Sequence, residues 1–335
     1  MKIDCALPGA IRDIGATAPS LEAEGYDGLW ATETKHDPFL QALQAADATN
    51  KIPIGTAIAV AFARSPMTVA NASYDLAEYA RGRFILGLGS QIRSHIERRF
   101  SMPWSSPAAR MREFVLALRA IWSCWDEGTS LNFQGEFYSH TLMTPFFSPA
   151  RHEFGAPPVY LAGVGDHMTE VAGEVCNGLL LHAFTTRTYL EKVTVPALQR
   201  GRERAGLADL EGFTISGMSM VCPGRDEVEL EVSVRSTKKQ IAFYASTPSY
   251  RGVLDVHGWG DLQPELTRLS KAGRWDDMGD AIDDEILNAV AVVGEPAEVG
   301  AGLRQRWGDL IDRTTLYSTE VIPGPVLKEI ADHAR

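Results

Sequence analysis

The stretch Arg81-Gly82-Arg83-Phe84-Ile85-Leu86-Gly87-Leu88-Gly89, followed by Ser90-Gln91, decides how the chain is read. Arg83–Leu88 has the apolar content and length of a strand, and it runs into glycines. Glycine lets a flat ring or a phosphate approach the backbone closely. The dinucleotide fingerprint needs a third glycine, but Ile92 stands at that place, so a Rossmann site is disfavoured. A tight strand-to-helix turn is the plainer reading of the same residues.

Working outward, short strand patterns alternate with longer helical ones. Lys2–Leu7, Tyr26–Thr32 and Ile52–Val60 read as strands before Arg83–Leu88. Ile11–Glu24, Phe39–Thr49 and the stretch from Pro66 to Ala80 read as the helices between them, and Gly25 sits where a helix C-cap is expected. Ala108–Trp125 is helical. Beyond it, Pro158–Ala162, Gly178–His182, Phe213–Cys222 and Arg313–Tyr317 read as strands. Met168–Cys176, Thr188–Ala205, Glu227–Ala245 and Ala297–Trp307 read as helices. The alternation implies a parallel sheet with right-handed crossovers. Eight strands favour a closed barrel over an open doubly wound sheet. The expectation is one α/β domain over 1–335, a (β/α)8 TIM barrel with insertions near 128–157 and 248–284.

A chain of 335 residues is large for one core and ordinary for such a barrel. Its net charge of −11 argues against nucleic acid and against anionic membrane surfaces. No apolar run is long enough to cross a bilayer, and the start lacks a signal-peptide core. Cys5, Cys124, Cys176 and Cys222 form no CxxC pair and no zinc-ligand spacing, so no metal site is expected. They read as reduced thiols of a cytoplasmic protein. The hydrolase elbow GxSxG and the Walker A loop are both missing.

Three further segments carry chemistry. In Val159-Tyr160-Leu161-Ala162-Gly163-Val164-Gly165-Asp166, a strand runs through a glycine-rich turn into a helix N-terminus, an arrangement that binds anions. Asp166 capping that helix is the alternative. Thr32-Glu33-Thr34-Lys35-His36-Asp37 lies at the end of strand two, where barrel enzymes place catalytic groups. His36 has the side chain suited to proton transfer near neutrality, and Glu33 is its neighbour. A solvated loop with Asp37 capping the next helix is the other use of that segment. His182 ends an apolar strand, and His95 lies six residues beyond Gly89. A core histidine and a surface histidine are the respective alternatives.

In order along the chain, Gly25-Tyr26-Asp27-Gly28-Leu29-Trp30, Ile54-Gly55-Thr56-Ala57-Ile58, Arg64-Ser65-Pro66, the Gly82–Gly89 segment, Gly173-Glu174-Val175-Cys176-Asn177-Gly178 and Ala291-Val292-Val293-Gly294-Glu295-Pro296 resemble the bacterial-luciferase-like superfamily. The similarity is greatest to members that use the deazaflavin coenzyme F420. That resemblance implies a flavin or deazaflavin ring at the C-terminal mouth of the barrel, with a non-proline cis peptide at Ala57-Ile58 behind it. It implies Gly89, Ser90, Gln91 and His95 beside the cofactor and the Gly163-Val164-Gly165 turn on its phosphate; His182, from its place at a strand end, is expected at the same mouth. Catalysis would fall to His36 and Glu33. The pattern departs from the deazaflavin members at strand two, where Thr34 follows the acidic residue and His36 comes later. The function implied is F420-dependent hydride transfer to or from a small organic molecule. The alternatives are an FMN-dependent monooxygenase and a non-catalytic flavin-binding protein. A homodimer is expected.

Overall fold

A computed structural model describes every residue of the chain except Pro8. Eight parallel strands close into a ring: β1 Lys2–Ala6, β2 Leu29–Ala31, β3 Ile54–Thr56, β4 Phe84–Gly89, β5 Val159–Ala162, β6 Gly178–Leu180, β7 Thr214–Pro223 and β8 Arg313–Tyr317. Each pairs with its sequence neighbour. Closure comes from Lys2 to Asp4 pairing with Arg313 to Thr315. All eight expected strands are present, several of them shorter than the apolar runs that announced them.

Helices cover the outside of the ring, as βαβ crossovers require. They begin with α1 Ile11–Ala23, α2 Pro38–Ala48, α3 Pro66–Tyr79 and α4 Pro107–Glu127. Next come α5 Asp166–Val175, α6 Val195–Arg204 and α7 Glu227–Ala245, then α8 Pro296–Trp307 and the final α9 Gly324–Ala334. Asp37 and Ser65 cap α2 and α3 with their side chains, and a proline opens each helix. The core lies between helices and sheet, with Ile3, Leu29, Ile54, Leu86, Leu88 and Phe114 fully buried. No helix among the described residues is long and apolar enough to cross a membrane.

The two insertions behave differently. In the first, Phe133–Gln134 and Ser139–His140 form a small hairpin bound to α4, where Glu113 accepts the N–H groups of Glu136, Phe137 and Tyr138. It packs on the helical layer, and none of its residues lines the barrel mouth. In the second, a bundle of short helices from Arg251–Asp255 to Asp284–Val290 builds its own apolar cluster around Leu254, Leu266, Met278 and Leu287. It leads into a ninth parallel strand, Ala291–Gly294, which extends β7 outside the ring. That strand is four residues long and directly follows a helix, so periodicity does not separate the two.

Candidate active site at the barrel mouth

β3 carries the feature around which the mouth is built. Ile54 and Gly55 pair with Phe84 and Ile85 of β4, an offset of 30 residues. Past the interruption, Ala59 and Val60 pair with Leu88 and Gly89, an offset of 29. One extra residue has therefore been inserted in β3 between Thr56 and Ile58, as in a β-bulge. The Ala57–Ile58 peptide within it is cis. The bulge turns Ala57 and Ile58 into the barrel, where both line a cavity of about 670 Å³.

The glycine at the end of β4 is there for Ile58. A Cβ on Gly89 would come within 2.9 Å of Ile58 Cγ1 and Cδ1. Gln91 follows in the left-handed region, at φ +59°, which is uncommon for a residue with a side chain. Ser90, Gln91, Ile92 and Arg93 line the same cavity.

Below the cavity lies a closed layer. Trp30 packs with Ile85, Tyr160 and Leu180. Its indole donates to Asp4 at 2.8 Å, and Asp4 also receives a two-pronged bond from Arg313 at 2.6 and 2.7 Å. Both members of this ion pair are almost entirely buried. The floor is thus rigid and charge-neutral.

The opposite wall comes from β5 and β6. Gly163 and Val164 line the cavity, and Gly165 begins α5 without any side chain capping it. Tyr189 donates to the Val164 carbonyl at 2.8 Å and holds the turn in place. Asp166 stands in the first turn of α5, 3.8 Å from Arg200. This helix end is open to an anion.

His182 stands over this wall. Its Nδ1 accepts the Phe184 N–H at 3.0 Å. The ring stacks on Tyr250 at 4.6 Å, and Tyr244 meets it edge-on at 4.7 Å. Burial pushes its pKa down to about 4. Tyr250 belongs to the turn Pro248–Tyr250, which opens the second insertion, and with Ser249 it closes that side of the mouth.

The expected residues divide between mouth and surroundings. Ala57, Ile58, Gly89, Ser90, Gln91, Gly163, Val164 and His182 share the cavity. Gly165 is adjacent, while His95 is exposed on the short helix Arg93–Arg98. Glu33 and His36, expected as the proton-transferring pair, are placed elsewhere. The Glu33 carboxylate is buried, and its Oε2 accepts from the Val60 N–H and from Arg64, both at 2.7 Å. It secures the far end of the bulge. His36 is exposed on the loop before α2 and does not line the cavity. Thr34 and Lys35 separate the histidine from Glu33, and both are exposed with it on the loop.

Reading the sequence missed Arg93, Trp104, Ser216, Met218, Ser249 and Thr315, which also line the mouth. Those on β7 and β8 lie early or midway in their strands and reach the mouth because β7 is staggered against β6, with Ser216 paired to Leu180 at the end of β6. Trp104 had no signal. It reaches the site because the loop after β4 folds back and Arg99 fastens it to the Thr34 carbonyl at 2.7 Å.

A flat ring system fits this geometry. The bulge offers an apolar backing, Gly89 offers backbone without a side chain, and the uncapped turn before α5 offers amides for a phosphate. Among the described residues no cluster is suited to hold a metal ion.

Comparison with known proteins agrees with the architecture. Residues 5–313 match the model of a family described as luciferase-like monooxygenase. An uncharacterised protein of Mycobacterium tuberculosis is 53% identical over 313 residues, covering 93% of this chain and 92% of its own. The 5,10-methylenetetrahydromethanopterin reductase of Archaeoglobus fulgidus is 24% identical, over 83% of this chain and 81% of its own. The solved coenzyme F420 dependent tetrahydromethanopterin reductase from Methanopyrus kandleri superposes with a TM-score of 0.79 at 19% identity, covering 99% of this chain and 96% of that one.

Proposed function

The chain belongs to the luciferase-like monooxygenase family, and from that premise we propose that it is an F420-dependent oxidoreductase acting on a small organic substrate. The observation that carries the reading is the cavity itself. It combines the Ala57–Ile58 bulge, the bare Gly89 backbone and the open N-terminus of α5 in one continuous space. The relatives that use F420 by name support the deazaflavin form of the cofactor.

When bound, a deazaflavin supplies two-electron hydride chemistry at a ring carbon. The protein supplies the rest. Ala57 and Ile58 would back the ring, and the Gly163-Val164-Gly165 turn with the first amides of α5 would hold the phosphate. Gly89, Ser90 and Gln91 would border its edge. The buried floor of Trp30, Ile85, Tyr160 and Leu180 keeps water away from one side, and the Ser249–Tyr250 turn narrows the other. His182 is the histidine that faces the substrate space.

A titration of the purified chain tests this. Oxidised F420 is expected to bind more tightly than FMN, followed by fluorescence quenching and calorimetry. Tighter FMN binding, with rapid oxygen consumption by the reduced complex, would favour the second reading. That reading, an FMN-dependent monooxygenase, is supported by the family's own description.

A further inference from the structure

A second cavity, of about 860 Å³, lies away from the mouth and shares none of its lining residues. Three parts of the fold meet around it. Thr186, Arg187 and Thr188 come from the segment after β6, and His257 and Asn288 come from the second insertion. Arg304, Arg306 and Asp309 come from the last turn of α8 and the residues just beyond it.

The chain carries a net charge of −11, yet this cavity is lined by three arginines and a single carboxylate, Asp309. Arg187 takes up that carboxylate. Its Nη1 and Nη2 donate to Asp309 at 2.8 and 2.7 Å, and its Nε pairs with Glu191 at 2.8 Å. Its Nη1 also donates to the Arg306 carbonyl at 2.7 Å, so Arg187 clasps the segment after β6 to the end of α8. Arg304 and Arg306 are left over, and among the described residues neither forms an ion pair. Arg304 is exposed. Arg306 is partly buried: its Nη2 donates to the carbonyls of Asn288 at 2.6 Å and Ala291 at 3.1 Å, and its Nη1 is sealed without a partner. Burial pushes its pKa down to about 10. Arginines in a last helical turn ordinarily serve the carbonyls of their own helix. Arg306 instead reaches carbonyls of another element, and no counter-charge faces it. A desolvated cation without an anion is costly, and an anion in the cavity would offset that cost. His257 adds a neutral polar edge. Its Nε2 lies 2.8 Å from the Thr186 hydroxyl, its ring stacks on Trp259 at 4.2 Å, and burial with Lys192 nearby outweighs Glu285 and pushes its pKa down.

We propose that this cavity is a second binding site of the chain and that it takes the phosphate monoester of a small polar molecule. Two arginine charges stand unanswered. A phosphate monoester brings close to two negative charges at neutral pH and three terminal oxygens, where a carboxylate brings one charge and two oxygens. Arg304 is the arginine free to bond those oxygens. Arg306 acts through its field, because its unbonded nitrogen is sealed. The cavity is far larger than a bare phosphate, so an organic part fits beside it. Thr188, Gln305 and His257 line that space with hydrogen-bonding side chains, which suits hydroxyl groups. The site stands on its own residues and does not depend on the deazaflavin reading of the mouth.

Ribose 5-phosphate titrated into the full chain, in a phosphate-free buffer of low salt, tests this. Calorimetry is expected to show saturable binding. In protein labelled with 15N-histidine, 1H–15N spectra are expected to show His257 shifting while His182, at the mouth, stays in place. Arg304→Ala is expected to weaken binding roughly tenfold or more. Its urea midpoint should match the parent's, since Arg304 is exposed and forms no ion pair in the fold. Arg304→Lys, which keeps the charge, should recover part of the affinity. Inorganic phosphate is expected to compete, and citrate to bind less tightly than the ester. The absence of saturable binding overturns the proposal, as does an Arg304→Ala chain that binds as well as the parent. Shifts at His182 without shifts at His257 would place the ligand in the mouth and overturn it too. Citrate binding more tightly than ribose 5-phosphate overturns the assignment to a phosphate ester.

Discussion

Thr56 and Gly87 are joined by a reciprocal pair of hydrogen bonds: the Thr56 hydroxyl donates to the Gly87 carbonyl at 2.7 Å and accepts the Gly87 N–H at 2.9 Å. The hydroxyl takes the place of a strand neighbour where the bulge has moved the backbone of β3 out of register. A Cβ on Gly87 would collide with the Thr56 carbonyl oxygen, so only glycine fits opposite the bulge. Removing the hydroxyl leaves two buried backbone groups unpaired. Thr56→Val is expected to cost about 1–3 kcal/mol of stability, with Thr56→Ser close to the parent, both read from urea denaturation. Equal midpoints for the parent and the valine variant would refute this. Gly87→Ala is expected not to fold.

Gly89 tests the bulge from the other side. The clash of Gly89→Ala is with the flexible end of Ile58, not with backbone. The chain should fold, with Ile58 pushed into the cavity. F420 affinity is expected to fall at least tenfold while the denaturation midpoint stays near the parent's. Unchanged affinity would show that the ring does not lie against Ile58.

Glu33 and His36 separate structure from chemistry. Arg64 joins Glu33 at 2.7 Å and Asp37 at 2.8 Å, linking the loops after β2 and β3. Glu33→Gln leaves the partly buried Arg64 without its closest counter-charge and is expected to lower stability by about 1–3 kcal/mol. His36→Ala is expected to alter neither stability nor F420 affinity. A large loss of affinity in His36→Ala, measured by the same titration, would return the histidine to the site.

The buried Asp4–Arg313 pair locks β1 to β8 where the ring closes. Arg313→Met removes one charge and strands the other, with an expected cost of about 3–5 kcal/mol. The double change Asp4→Leu with Arg313→Met should recover much of that, since no lone charge remains. A double variant as unstable as the single one would mean that packing around Trp30, not charge, sets the cost.

Much of the barrel was legible because its strands are buried on both faces and its helices are amphipathic, so apolar period alone separates them. Arg83–Leu88 is the clearest case. The glycines at 87 and 89 were legible as close approaches, but what approaches them was not. They are first required by the bulge of the neighbouring strand, a relation between residues some 30 positions apart that no local pattern encodes. The same holds for Glu33, whose partner Val60 lies on another strand. Trp104 and Tyr250 reach the mouth through loops whose course is set by single anchoring bonds and ring stacks. By contrast the place of His182 beside the cavity was legible, because the carboxyl end of a barrel strand opens at the mouth.

His182 also makes the stability of the chain depend on pH in a defined window. Its pKa is held near 4 by burial, against an ordinary value near 6.5. Above pH 6.5 the ring is neutral in folded and unfolded chain alike, and stability is at its full value. As pH falls from 6.5 towards 4, the unfolded chain takes up the proton first, so stability declines. Below 4 both states are protonated and the loss is complete, at about 3 kcal/mol for the gap between the two values. His140 and His257 are shifted in the same direction by burial and add to the same slope. His182→Gln is therefore expected to flatten the fall in stability between pH 6.5 and 4 without abolishing it. Urea midpoints of parent and variant at pH 7, 5.5 and 4.5 decide the matter: parallel curves would mean that the ring is not held neutral in the fold.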